Sequence, residues 1–259
     1  MNNDRIQEIL DLMEEARLDY FLISDPQSIA YCTGYYNDPH ERMFVFMISK
    51  HGNHTLFMND LFYLDHDLDV NIVWHKDGQD AIQTIVDEMH PGRIGIDKNW
   101  ASHFLLDLMK KLPDAKYINA SPCVDLVRMK KDLQEQVLMI ESSKINDAVM
   151  EEIIPFIQEG VTEKQLAKKL DELFFNHHST CYGAIVAFGK NAADPHHEND
   201  DTLLRKGDCV LIDMGCVYKG YCSDMTRTFF YEGILEEEIK VYEIVKKSNE
   251  AAEAMIKPG

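Results

Sequence analysis

Apolar residues recur with helical spacing over residues 4–17, where Ile6, Ile9, Leu10 and Met13 share one face of an expected amphipathic helix. The apolar run 19–23 then has the length of a buried strand. Two more strands are expected over 42–48 and 54–58, with a polar turn at 50–53 between them. A helix over 80–89 stops before Pro91-Gly92, a short strand follows at 93–97, and a helix over 102–112 is closed by Pro113. Strands alternating with helices predict an α/β domain over residues 1–127.

A second domain is expected over 128–259. Asp132 can cap a helix that has Glu135 three residues on; it should run to about residue 157 and kink or break at Pro155. Thr162 and Gln165 match a capping box for the next helix, which places Leu166, Leu170, Leu173 and Phe174 on one face. A strand is expected over 182–188. The runs 210–217 and 221–231 are rich in Val, Ile, Phe and Thr and are joined by Tyr218, Lys219 and Gly220, a hairpin signal. Gly233 breaks the second strand, and a helix is expected over 236–256.

That hairpin carries the chemistry. With the turn on Tyr218-Lys219, Asp213 faces Asp224 across the two strands. Like charges directly opposite each other are destabilising, and Asp is disfavoured in strands. A cation bridging both carboxylates, or protonation of one, would offset the repulsion. Two solvated aspartates on an outer face are the plainer alternative. An oxygen-rich site suits Mg, Ca or Mn, and two metals about 3.5–4 Å apart can clamp a hydrolytic transition state.

The wording around these aspartates, I-D-x-G followed by G-Y-x-S-D-x-T-R-T, resembles the metal-binding hairpin of the pita-bread metallopeptidases, among them aminopeptidase P, prolidase and methionine aminopeptidase. Y-C-T-G-Y at 31–35 is similar to a stretch in the N-terminal domain of creatinase, prolidase and aminopeptidase P. G-K-N-A-A-D-P-H at 189–196 resembles the family's G-x-N-x-A-x-P-H segment, with His196 17 residues before Asp213. The resemblance implies a creatinase-like α/β N-terminal domain followed by an α+β pita-bread domain. It also implies that Asp213 and Asp224 are metal ligands and that His196 contacts substrate or the tetrahedral intermediate. Imidazole suits that task because it titrates near operating pH. His197 receives no role. Thr226, on the strand face of Asp224, is expected either to bond a ligand or bridging water or to serve simply as a β-forming strand residue.

What the resemblance implies for activity is a dinuclear hydrolase, with manganese or cobalt, cutting the peptide bond before proline in a proline-containing peptide. The family's site needs a further His and two Glu from an H-G-x-G-H-type stretch and later glutamate strands. None of these motifs occurs here. The expectation is therefore a pita-bread domain incomplete at its C-terminus, with weak or no metal binding in this chain. Two rival readings stay open: an inactive peptide- or protein-binding module, and a metal-free creatinase-type amidinohydrolase. Relatives also suggest a homodimer.

Composition narrows the partners. The net charge of −19 lacks the basic footprint of a nucleic-acid binder. The first residues form no signal peptide, no apolar run reaches membrane-spanning length, and the six cysteines show no C-x-x-C. A cytoplasmic protein is expected, with no nucleic acid or membrane as partner.

Overall fold

Residues 1–258 are described by a computed structural model, and they form two compact units that meet in sequence at Lys130/Lys131. The first contains α1 (Asn3–Glu15), β1 (Tyr20–Ile23), α2 (Pro26–Thr33), β2 (Val45–Ser49), β3 (Thr55–Asn59), β4 (Asn71–His75), α3 (Ala81–Asp87), β5 (Arg93–Ile96), α4 (Ser102–Lys111), β6 (Lys116–Asn119) and α5 (Ser121–Met129). Its six strands lie in the order β4-β3-β2-β1-β5-β6, with β1, β5 and β6 parallel and β2 antiparallel to both neighbours.

Alternation along β1 explains the layering. Phe21 and Ile23 point to one face, where Ile6, Ile9 and Met13 of α1 and Val124 of α5 cover them. Tyr20 and Leu22 point to the other, covered by Ile82 and Ile85 of α3 and Leu108 of α4. Every residue of β1, β2 and β3 is buried, as a sheet sandwiched by helices requires.

Four of these elements were not expected from the sequence: α2, β4, β6 and α5. For α2 the signals are local. Asp25 accepts from Ser28 N at 2.9 Å as N-cap, Pro26 opens the helix, and Gly34 closes it at φ 80°. Strands β4 and β6 are the two sheet edges, each paired on one side only, and alternation is weak in both. His75 is buried, with Nε2 3.0 Å from the Met43 carbonyl, a locally satisfied histidine.

The second unit contains α6 (Leu133–Ile153), α7 (Glu163–Asn176), β7 (Thr180–Cys181), β8 (Ile185–Phe188), β9 (Cys209–Met214), β10 (Cys216–Tyr218), β11 (Tyr221–Cys222), β12 (Met225–Phe230) and α8 (Glu236–Ala254). Both expected capping boxes form, Asp132 with Glu135 and Thr162 with Gln165. A single 3-10 turn at Ile154–Phe156 takes over from α6 at Pro155, whose ring cannot continue the ladder. Strands β12-β9-β8 form one sheet and β11-β10-β7 another. Val210, Ile212 and Met214 of β9 pack under α6 and α7 against Val149, Ile153, Leu166, Leu170 and Phe174. Among the described residues no helix is long and apolar enough to cross a membrane.

Candidate metal centre

The aspartate hairpin forms, with a different register from the one expected. Met225 pairs with Met214, Thr226 with Asp213, and beyond them Tyr218 pairs with Tyr221. The turn therefore sits on Lys219-Gly220 rather than Tyr218-Lys219, and Asp213 faces Thr226 rather than Asp224. The physical reason is turn chemistry. A two-residue type I′ turn needs positive φ at both central positions, and Lys219 (φ 49°) and Gly220 (φ 85°) supply it. Gly220→Val, forced into that left-handed conformation, should lower stability by about 1–2 kcal/mol, read as a shifted urea midpoint at unchanged m-value.

Moving the turn by one position moves the pairing by two, so Asp224 keeps the face of Asp213 and becomes its diagonal neighbour. Diagonal neighbours lie roughly 7–8 Å apart, somewhat less between Cβ atoms, close enough for two carboxylates to share a pair of metal ions and far enough to ease their repulsion. Asp224 also escapes the strand penalty because it lies in a break. Between β9 and β10 stands Gly215, between β11 and β12 stand Ser223 and Asp224, and Tyr182–Ala184 separate β7 from β8. The three interruptions fall at one level, and there the hairpin passes from one sheet to the other.

Tyr182 fastens this break. Its hydroxyl donates to the Ser223 carbonyl at 2.7 Å, crossing directly over Gly215. Burial pushes the phenol up to about 12, helped by the negative field of Asp224, Cys222 and Asp213. Beneath, the buried Ser142 and Asn146 of α6 approach the carbonyls of Cys216 and Met214 at 3.4 and 3.5 Å. Thr226 donates to Asp213 Oδ1 at 2.7 Å, which orients that carboxylate. Thr226 thus bonds the aspartate itself.

Neither Asp213 nor Asp224 forms an ion pair with Lys, Arg or His among the described residues. Two hard oxygen donors on one face, one held by a hydroxyl and neither neutralised, fit a divalent cation. The side chains that would hold it are Asp213 and Asp224.

His196 is exposed, and its backbone N–H donates to Asp194 Oδ1 at 3.0 Å. The far end of its loop returns to β8. Chain leaves β8 at Phe188, opposite Val210, then folds back so that Asn199 bonds the outer edge of β8. Asn199 Oδ1 accepts from Val186 N and its Nδ2 donates to the Ala184 carbonyl, both at 2.7 Å. Ile185, between those two residues, is the partner of Asp213. His197, given no role by its sequence context, meets the fully buried Glu163 at 2.6 Å, and Asp200 lies beside them. Nothing local could have disclosed that pair, which is 34 residues apart in sequence.

Fold and site together define a class: a metallohydrolase scaffold with a three-layer α/β domain ahead of a helix-backed antiparallel sheet. Residues 137–259 match metallopeptidase family M24 and residues 5–130 match the creatinase/prolidase N-terminal domain, and the chain belongs to that family. It is similar to the crystal structure of a dipeptidase from Pyrococcus horikoshii, with 31% identity and a TM-score of 0.88 over 98% of this chain and 73% of that one. A prolidase from Thermococcus sibiricus is 26% identical with a TM-score of 0.90, covering 100% of this chain and 73% of its own. An Xaa-Pro dipeptidase from Bacillus anthracis is 25% identical with a TM-score of 0.81, over 94% of this chain and 69% of its own.

Proposed function

We propose that this chain serves metal-dependent hydrolysis of the peptide bond preceding proline, with Asp213 and Asp224 as metal ligands and His196 as the group that contacts substrate. The observation that carries the reading is two carboxylates on one hairpin face, without a counter-cation, at the level where Tyr182 and Gly215 lock the strands. The similarity to an Xaa-Pro dipeptidase supports the choice of substrate. A pair of manganese or cobalt ions, when bound, would supply an activated water and stabilise developing oxyanion charge.

The chain's own residues do the rest. Asp213, steered by the Thr226 hydroxyl, and Asp224 fix the position of the charge. His196, exposed on a loop tied to the edge of β8, is free to meet substrate and to carry a proton at its ring nitrogen. The six unpaired cysteines accord with a reducing compartment such as the cytoplasm.

The test is proline release from Ala-Pro with manganese, compared with Ala-Ala and with chelator. Manganese-dependent release from Ala-Pro alone is the expected result, slow and only at high manganese because two of the family's five ligands are present in this chain. Equal hydrolysis of both dipeptides overturns the specificity. Peptide binding without any hydrolysis while manganese is bound overturns the activity in favour of a binding module.

A further inference from the structure

Glu163 is the first residue of α7 and is completely buried, which for a carboxylate demands compensation. It has four donors. Oε1 accepts from Phe188 N at 2.8 Å and from Asn191 Nδ2 at 2.9 Å; Oε2 accepts from Asp200 N at 3.1 Å and lies 2.6 Å from His197 Nε2. The positive end of the α7 dipole adds to them. Both oxygens already accept from N–H groups, so His197 is assigned the tautomer that donates from Nε2.

All four donors belong to one stretch of chain, 188–200, that starts at the end of β8 and contains His196. Its far end is stitched to the same helix start: Lys164 N donates to the Asp200 carbonyl and Glu163 N to the Thr202 carbonyl, both at 3.2 Å. Glu163, His197 and Asp200 also lie close enough together to suggest a metal site. The distances argue otherwise. Two ligands each about 2.1 Å from a tetrahedral zinc sit roughly 3.4 Å apart, whereas 2.6 Å is a short charge-assisted hydrogen bond. Every lone pair of the carboxylate is already used.

We propose that Glu163 and His197 are positioning residues for His196: the buried carboxylate gathers both ends of its loop, and His197 closes the clamp from the adjacent position in the chain. This rests on the reading of His196 as the substrate-contacting group, but the clamp itself can be measured without it.

The experiment compares Glu163→Gln, His197→Ala and His197→Gln in the full chain by amide hydrogen exchange, alongside kinetics on Ala-Pro. A Gln at 163 turns one acceptor oxygen into a donor facing donors; a Gln at 197 can still donate to Glu163. In Glu163→Gln and His197→Ala, amides of 189–200 should exchange at least about tenfold faster while β9 and the second half of α7 keep their wild-type rates. His197→Gln should restore the loop. Where hydrolysis is present, His197→Ala should lower kcat about tenfold with KM little changed, and His197→Gln should recover it.

Unchanged loop exchange in His197→Ala overturns the clamp, as does equal loosening of β9 and α7, which would make the pair a general prop for the fold. A loosened loop with wild-type kcat overturns the positioning role. A wild-type chain that hydrolyses nothing refutes the proposed function instead, and the exchange comparison still decides whether the clamp exists.

Discussion

Asp213→Asn is expected to weaken manganese binding by about 100-fold or more, because it removes one of two anionic donors from a site whose attraction for a hard cation is mostly charge. The substitution is isosteric, and Asn Oδ1 can still accept from the Thr226 hydroxyl that bonds Asp213 Oδ1 at 2.7 Å. Without metal the variant should therefore be as stable as the wild type or slightly more so, since one of two like charges on a shared face is gone. The two effects have opposite signs, and one experiment separates them. Thermal unfolding with increasing manganese should raise the wild-type Tm, as any ligand that binds only the folded state must, and should leave Asp213→Asn nearly flat. Asp224→Asn should behave alike. Thr226→Ala should cost only about tenfold in affinity, because it disturbs a ligand's orientation and not its charge. Equal manganese responses in wild type and Asp213→Asn would remove the hairpin from consideration as the metal site.

The aspartates were legible because their signal is local: residue types at fixed spacing within one hairpin. Their geometry was less so. Tyr218, Lys219 and Gly220 allow two placements of a two-residue turn, and the one that forms puts glycine at the second central position, where positive φ costs it nothing. The capping boxes at Asp132 and Thr162 were readable for the same reason of locality, and α2 offered comparable signals in Asp25, Pro26 and Gly34. The partnership of Glu163 with the 188–200 stretch, by contrast, is a tertiary contact between residues tens of positions apart. A lone Glu in a first helical turn looks like an ordinary complement to the helix dipole; only its complete burial reveals the second task.

Gly215→Ala is expected to be the most damaging single methyl group in the second unit. A Cβ at this position would stand 2.1 Å from the Tyr182 hydroxyl and 2.2 Å from the Ser223 carbonyl. A rotating side chain could yield, but the Ser223 carbonyl is backbone of the facing strand. Its own N–H donates to the Cys216 carbonyl at 3.0 Å, so relief requires the strands to part. We expect a loss of about 3 kcal/mol in unfolding free energy, the upper end of what overpacking costs. Tyr182→Phe in the same chain removes only the hydroxyl clash and should not rescue it. The consequence for the site follows from register: Asp224 is level with Gly215, so parting the strands there moves Asp224 away from Asp213. Manganese affinity should therefore fall together with stability in Gly215→Ala, whereas a destabilising change elsewhere in the core, such as Phe174→Ala at about 3–5 kcal/mol, should leave the affinity of the folded fraction intact. A Gly215→Ala chain with wild-type stability would mean that Tyr182 does not cross the break as described. One that is destabilised yet keeps wild-type metal affinity would uncouple the break from the site.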